Sequence, residues 1–566
     1  MSQAITAMKA VIDSLIQPGS GFEMEEKEVG DTLVRSYLHA PKTLLDVYRK
    51  SLEFSDSPFL VFEDRSFTFK EVYNNSGKIA AGLQAQGVSK GDRVAIAMRN
   101  CPEWVIAFLA ITRIGGIAVA MNSWGETEEL KYGLEDSGAK CIFVDQRRFE
   151  LLTDCDKPIA AIPIVLQPTA LESRIVSQSV ISWQSLIEQN SILSEVDVQP
   201  EDYAYILYTS GTTGRAKGAL TTHYAAGQTV YNGLYAGAMV ASQHPGTIEK
   251  LIARGKPLST MLALPLFHGS GIISIIFSAL WQGTRVVILP KWNPEEALKL
   301  IEQNNIGVLS GAAKMVWDLL EHPDWNKYDT DSLCNLMGVG AAQPETLLDD
   351  IRNACPDNFF GTGYGMTECN MYAALNTGPV YLENLDSVGL PYPVMEFKII
   401  DEQGKTLPLG ETGEICIKGP SLISGYWGNR KATEESIIEG WLHGGDVGYI
   451  NDDGMLHICD RKKDIVIRGG ENIYCAEVET VINAHTDVAE SAVFGVPHER
   501  WGEELAVSVR LKSNSDMSKA ALQQHVASKL AHYKVPAHVF YEDEPLPKNA
   551  MQKVKKHELK KKYLQS

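Results

Sequence analysis

Short apolar runs alternate with amphipathic stretches along most of this chain. The runs at 93–98 (RVAIAM), 141–145 (CIFVD), 203–209 (YAYILYT), 285–290 (RVVILP) and 306–311 (IGVLSG) are β-rich and carry charge only at their ends. Runs of that kind predict strands buried on both faces, as in mostly parallel sheets. Between them, 76–86 and 294–304 repeat apolar residues at helical spacing, which predicts covering helices. Strand and helix alternating in this way is the pattern of layered α/β architecture.

Two longer apolar stretches, 104–121 and 271–289, invite comparison with membrane spans. The first contains Arg113 and Gly115-Gly116; the second is broken by Gln282, Gly283 and Arg285. A span needs about 20 nearly uninterrupted apolar residues, so each is expected to be a buried helix followed by a buried strand. At the N-terminus, Ala4, Met8, Val11, Ile12, Leu15 and Ile16 share one helical face, expected to pack on the protein's own body. A membrane-surface role is the rival, but its polar face offers only Lys9 as a cation. The acidic residues Glu23, Glu25, Glu26, Glu28 and Asp31 then predict a solvated loop.

Past about residue 390 the texture changes to short strands with tight turns, and Asp452-Asp453-Gly454 predicts a hairpin turn. From Asp464 a compact α+β pattern follows, with a helix near 476–484. The expected division is a large N-terminal α/β domain, 1–462, whose residues 390–462 form a small β-rich subdomain, and a small α+β C-terminal domain, 463–566.

The length of 566 residues supports more than one domain. With 52 Lys plus Arg against 71 Asp plus Glu, the net charge of −19 argues against nucleic acid as a partner and leaves at most peripheral membrane association. The nine Cys show no paired spacing of a zinc knuckle or redox dithiol, and the first residues show no export signal. The expected setting is the reducing cytoplasm.

The chemistry concentrates first in YTSGTTGRAKG, Tyr208 to Gly218, placed directly after a predicted strand. Glycines let a backbone turn its N–H groups inward around an anion, while hydroxyls and Lys217 add donors and charge. The P-loop of kinases and GTPases does not fit, because Ala216 and Gly218 occupy positions that require Gly and Ser or Thr.

This loop instead resembles the phosphate loop of the adenylate-forming (AMP-binding) superfamily of acyl-CoA synthetases, luciferases and peptide-synthetase adenylation domains, which reads [YF]TSGTTGxPKG. Only the usual Pro differs, replaced by Ala216. Further segments match in the family's order: PLFHGSG (265–271), GVGAA (338–342), GYGMTE (363–368), GWLHGGDVGY (440–449), DRKKDIVIRGGENIYCAEVE (460–479) and LPKNAMQKVKKHEL (546–559).

The resemblance implies a role for each matched residue. Thr209, Ser210, Gly211, Thr212, Thr213, Gly214 and Lys217 would cradle the β and γ phosphates of ATP. Gly340, Ala341 and Ala342 would line adenine, Tyr364 would stack on it, and Gly365 and Met366 would lie alongside. Thr367 would bond the α-phosphate, and Glu368 would hold Mg²⁺, which prefers hard oxygen ligands. His268 would stand beside the substrate carboxylate and the thiol tunnel. Asp446 would accept from the ribose hydroxyls, and Arg461 would contact ribose or phosphate. Lys463 would be the hinge, Gly469-Gly470 the wall of the CoA tunnel, and Lys553 the catalytic lysine. The sequence departs from the family at Ala216, Gly444, Cys475 and Gln552.

The implied activity is that of an acid–thiol ligase. A carboxylic acid and ATP would form an acyl-adenylate with loss of pyrophosphate, and CoA would then displace AMP. Small apolar residues along 223–241 and 272–277 suggest a hydrophobic acid: a medium- or long-chain fatty acid, with an aryl acid as the alternative. A ligase that loads a carrier protein stays open as well, and so does a protein of a different class, a non-catalytic nucleotide or acyl sensor.

Overall fold

In the computed structural model, the expected apolar runs form the inner strands of two sheets. The structure describes residues 2–153, 159–166, 180–189, 191–209, 215–253, 255, 257, 259–338, 345–513, 515–549 and 553–564. Among the described residues, the first sheet has the spatial order Gly425–Tyr426, Gly218–Thr222, Tyr203–Tyr208, Ile117–Ala120, Arg93–Ala97, Cys141–Val144, Ile162–Val165, Ile181–Ser182. From Tyr203–Tyr208 onward its strands are parallel; the first two are antiparallel to their neighbours.

The second sheet runs Asn335–Gly338, Ile306–Gly311, Ser259–Leu262, Arg285–Ile288, Pro58–Phe62, Arg65–Thr68, with only the last strand antiparallel. Along Arg93–Ala97, Val94 and Ile96 join the core between the sheets while Ala95 and Ala97 join a core on the opposite face. Burial on both sides is why these runs are apolar without alternation.

Both stretches weighed as membrane spans are helix followed by strand. The first is the helix Pro102–Arg113 and the strand Ile117–Ala120; the second contains the segments Ile272–Phe277 and Ser278–Gln282 and the strand Arg285–Ile288. Among the described residues, no helix is long and apolar enough to cross a membrane. The helix Pro294–Asn304 spans the expected residues, capped by the Asn293 side chain accepting from Glu296 N. The helix expected at 76–86 starts earlier, as Phe69–Ala85, because Thr68 and Glu71 form a capping box.

The N-terminal helix Gln3–Ile16 packs on the body of the protein and buries Ile5 and Met8. The acidic stretch is not a loop. Met24–Val29 pairs antiparallel with Thr32–Tyr37, so Glu25, Glu26 and Glu28 point outward from a hairpin whose other strand buries Val34, Ser36 and Tyr37. A one-sided strand alternates, and glutamates on its wet face hide that alternation from a composition-based reading.

The chain divides into two compact units. Unit 1 comprises Met1–Thr209, Ala216–Glu396 and Ile417–Leu442 and contains both sheets. Unit 2 comprises Ser210–Arg215, Phe397–Cys416 and His443–Ser566, so Lys463 lies within it. Its sheet orders Glu471–Ile473, Val466–Arg468, Gly502–Leu511, Val488–His498, with His538–Tyr541 parallel to Gly502–Leu511. The helix Cys475–Asn483 covers it, burying Val478 and Ile482 against Val493, Leu505 and Val507. The strands Trp441–Ile450 and Leu456–Arg461 flank the expected Asp452-Asp453-Gly454 turn, where Gly454 takes φ 84°.

Candidate active site

The strands Tyr203–Tyr208 and Gly218–Thr222 bracket the phosphate-loop sequence, with Tyr208 opposite Gly218. The neck of the loop is closed by Thr209 N donating to Lys217 O at 2.9 Å. Ser210, Gly211, Thr212, Thr213 and Gly214 lie outside the described residues, as do Gly340, Ala341 and Ala342. The Lys217 ammonium sits 4.7 Å from the centroid of the Tyr426 ring. The Tyr426 hydroxyl donates to Glu368 Oε1 at 2.8 Å. One ring therefore connects the expected phosphate-binding cation with the expected metal ligand, a cation–π contact on its face and a hydrogen bond at its tip.

Glu368 is carried on a tightly built turn. The strand Gly361–Tyr364 leads through Gly365, whose absent side chain is required: a Cβ there would lie 2.0 Å from Met371 O. Thr367–Cys369 form a single 3₁₀ turn, and Cys369 Sγ accepts from Met366 N at 3.2 Å. Asn370 and Met371 then take φ of 51° and 77°, a left-handed conformation unusual for two successive non-glycine residues.

Asn370 explains how this backbone is held. It is fully buried; its Oδ1 accepts from the Tyr205 hydroxyl at 2.8 Å and the Thr221 hydroxyl at 3.2 Å, and its Nδ2 donates to Ser421 O at 2.8 Å. Tyr205 and Thr221 belong to the two strands that bracket the phosphate loop. Neither Asn370 nor Tyr426 was among the candidates from sequence. The signal for Asn370 was its residue type, since Asn tolerates the left-handed region directly after a turn.

His268 caps the Gly269–Gly271 turn: its Nδ1 accepts from Ser270 N at 3.2 Å. A Cβ on Gly269 would lie 2.7 Å from the Met371 side chain, so this loop and the Glu368 turn are in close approach. Tyr364, at the end of the strand that leads into this turn, is 9% exposed. Unit 1 thus gathers Thr209, Lys217, His268, Tyr364, Gly365, Met366, Thr367 and Glu368.

Unit 2 gathers the rest of the described candidates. Asp446 and Arg461 face each other across the hairpin and form an ion pair at 2.5 Å, with Asp446 buried. Lys553 lies in a tight turn, its N–H donating to Asn549 Oδ1 at 3.0 Å. The residue is exposed, which screens its electrostatics. The protein packed around its ammonium still holds it below the usual lysine range, with repulsion from Arg461 and Lys463 adding and Asp446 opposing.

Three residues on, Lys556 is half-buried in an ion pair with Glu479 at 2.7 Å, and Glu479 Oε1 also accepts from Val493 N at 2.7 Å. Burial works against both charges. It pushes Glu479 up, whereas in Lys556 the Glu479 carboxylate outweighs it and raises the ammonium's pKa. The pair fastens the end of the Lys553 turn to the helix Cys475–Asn483. Cys475, where the family has Pro, starts that helix with its thiol donating to Asp464 O at 2.9 Å. Gly469 and Gly470, at φ 62° and 93°, form the two-residue turn between Val466–Arg468 and Glu471–Ile473. They sit by Trp501, whose ring would be 2.9 Å from a Gly469 Cβ.

Known proteins match the chain over most of its length. The family model for AMP-binding enzymes matches residues 48–427, and that for the AMP-binding enzyme C-terminal domain matches 477–553. A long-chain-fatty-acid–CoA ligase of Bacillus subtilis is 30% identical over 543 residues, 92% of this chain and 94% of that protein. A 2-succinylbenzoate–CoA ligase of Geobacillus kaustophilus is 34% identical over 499 residues, covering 88% and 93%. Among solved structures, o-succinylbenzoate CoA synthetase from Bacillus subtilis with its acyl-adenylate superposes with TM-score 0.74 at 29% identity, over 91% of this chain and 97% of that one. ATP-bound MatB from Rhodopseudomonas palustris gives 0.77 at 27% identity, over 91% and 98%.

Proposed function

The chain belongs to the AMP-binding enzyme family and is an AMP-forming acid–thiol ligase, and from that premise we propose that it joins a hydrophobic acid, a medium- or long-chain fatty acid or an aryl acid, to CoA through an acyl-adenylate. The observation that carries the reading is the Lys217–Tyr426–Glu368 connection, locked to the phosphate-loop strands by Asn370.

The acid is already ionised near neutral pH, so its activation needs no base. It needs charge neutralisation as two anions meet. Lys217 and the loop hydroxyls serve the outer phosphates, and Thr367 serves the α-phosphate. Glu368 fits a magnesium ligand: it is a hard oxygen donor with one oxygen oriented by Tyr426. Among the described residues, no cluster of three or more His, Cys, Asp or Glu competes for a metal. Magnesium commonly takes only one or two carboxylates and completes its shell with phosphates and water. When bound, the ion supplies charge neutralisation at the phosphates.

Asp446, held by Arg461, has the acceptor capacity for ribose hydroxyls. Lys553 contributes a cation to the developing charge. Lys463 is the proposed hinge between an N-terminal part ending at 462 and the C-terminal residues. The acid's apolar body is assigned to the helix His223–Gln243 and the segment Ile272–Phe277, whose isoleucines are buried. That segment is a π-helical turn, a form concentrated at functional sites. The relatives named for 2-succinylbenzoate and for long-chain fatty acids bracket this choice.

Carboxylate-dependent ATP–pyrophosphate exchange over aryl and fatty acids, followed by CoA addition, tests the reading. Exchange that yields a CoA thioester and collapses in Glu368→Gln supports it. Exchange without a thioester points to a carrier protein as acceptor, and ATP binding without exchange points to a sensor.

A further inference from the structure

Residues 2–47 precede the stretch matched by the family model, and they build a wall against the helix His223–Gln243. Gln228 accepts from Tyr37 N at 2.8 Å and donates to Tyr37 O at 3.2 Å, and the Tyr224 and Ser36 hydroxyls are 2.8 Å apart. Gly227 makes the close approach possible, since a Cβ there would lie 1.9 Å from Pro41 O.

The inner side of this wall is aromatic. Phe22 stands edge-on to Tyr235 at 5.5 Å, Tyr235 to Tyr392 at 5.8 Å, and Tyr392 to Tyr372 at 5.6 Å. Tyr372 follows Met371, the residue that packs at Gly269 beside His268. The Tyr372 hydroxyl is held by Ser274 and Ser278, at the π-helical segment. A file of rings therefore runs from the N-terminal segment to the two loops assigned to the acid's carboxylate and the phosphates.

Two polar side chains beside this file have no partner among the described residues. The Tyr37 hydroxyl is buried and makes no hydrogen bond. Asn232 is fully buried, and neither its amide nitrogen nor its oxygen is bonded. It lies one helical turn past Gln228, on the face that also carries Tyr235. Buried polar groups are almost always satisfied, and leaving them unsatisfied is costly. Together these two offer a hydroxyl and a paired donor and acceptor, the complement of an uncharged polar group.

We propose that the N-terminal segment closes the far end of the acid-binding pocket, and that Tyr37 and Asn232 there bind a hydroxyl or carbonyl at the distal end of the acid. This rests on the ligase reading above and narrows it. The preferred substrates carry a polar group away from the reacting carboxylate, and plain alkyl acids leave both side chains unsatisfied.

The test is ATP–pyrophosphate exchange with matched pairs: benzoic against para-hydroxybenzoic acid, and octanoic against omega-hydroxyoctanoic acid. Wild type is expected to favour the polar member of at least one pair by about tenfold or more in kcat/KM. Tyr37→Phe and Asn232→Leu, each first shown to be folded by thermal unfolding, should cut that ratio by about fivefold or more through KM for the polar acid. A wild type that favours the plain acid in both pairs, or a ratio unchanged in both variants, overturns the proposal while leaving the ligase reading intact. Exchange with none of the acids overturns the ligase reading, and the proposal with it.

Discussion

Replacing Asn370 by alanine removes three buried hydrogen bonds at once. The Tyr205 hydroxyl at 2.8 Å, the Thr221 hydroxyl at 3.2 Å and Ser421 O at 2.8 Å each lose their Asn370 partner. Every buried group left unsatisfied costs about 1–3 kcal/mol. The Thr221 bond is the longest and its hydroxyl can rotate, so Tyr205 and Ser421 carry most of the loss, about 4 kcal/mol between them. Backbone strain adds up to about 1 kcal/mol, because alanine tolerates the left-handed φ of 51° less well than asparagine. Alanine should therefore destabilise unit 1 by about 3–5 kcal/mol, and glycine, which relieves the backbone but restores no bond, by about 1 kcal/mol less.

Glu368 lies two residues before Asn370, so the freed turn should also raise the Mg²⁺ concentration for half-maximal exchange by about tenfold, with a smaller change in KM for ATP. Urea unfolding followed by intrinsic fluorescence gives the first quantity, and exchange titrated with Mg²⁺ gives the second. A stability loss under about 1 kcal/mol in the alanine variant would refute the hydrogen-bond reasoning. A full loss with an unchanged Mg²⁺ requirement would refute the positioning of Glu368.

Three further outcomes follow from the same geometry. Tyr426→Phe keeps the ring under Lys217 but removes the bond to Glu368, so Mg²⁺ titration should shift by about tenfold while Tyr426→Leu also raises KM for ATP; equal behaviour of the two would contradict the split roles. Lys553 acts as a cation held below the ordinary lysine value of about 10.4, so kcat for exchange should fall as pH rises through a midpoint below that value. Lys463→Gln removes a repelling charge and should move that midpoint up; a downward shift would count against the arrangement. Glu479→Ala leaves the half-buried Lys556 without its carboxylate and should cost about 1–3 kcal/mol in unit 2, whereas the apolar pair Glu479→Leu with Lys556→Met should recover most of it, both read by urea unfolding.

Much of the fold was legible because the information was local. Val94 to Ala97 are apolar on both faces, and the only structure that buries both is an inner strand between helical layers. The helix Pro294–Asn304 announced its own ends through Asn293 and Pro294 before and Asn305 after, the last taking a left-handed cap. The hairpin at 24–37 was missed because its solvent face is glutamate and its buried face belongs mostly to the second strand.

The candidate site divides in the same way. Motif residues such as Lys217, Glu368, Asp446 and Lys553 could be found from short spacings that resemble a family. Asn370 and Tyr426 could not, because their importance lies in contacts made across sequence separations of 165 and 58 residues. The pairing of Lys556 with Glu479 was hidden by composition, since a lysine-rich tail ordinarily faces water. No local pattern distinguishes the lysines that meet shielded carboxylates, Lys548, Lys556 and Lys562, from those that face water.

The acyl-adenylate is the central claim, and the fate of the acid's own oxygen tests it most directly. An acid carrying a heavy oxygen label in its carboxylate is incubated with the enzyme, ATP, Mg²⁺ and CoA, and the products are weighed by mass spectrometry. Attack of the carboxylate on the α-phosphate followed by thiol displacement predicts one labelled atom in AMP for every thioester formed. A thioester accompanied by unlabelled AMP, or by ADP with label in inorganic phosphate, would contradict it.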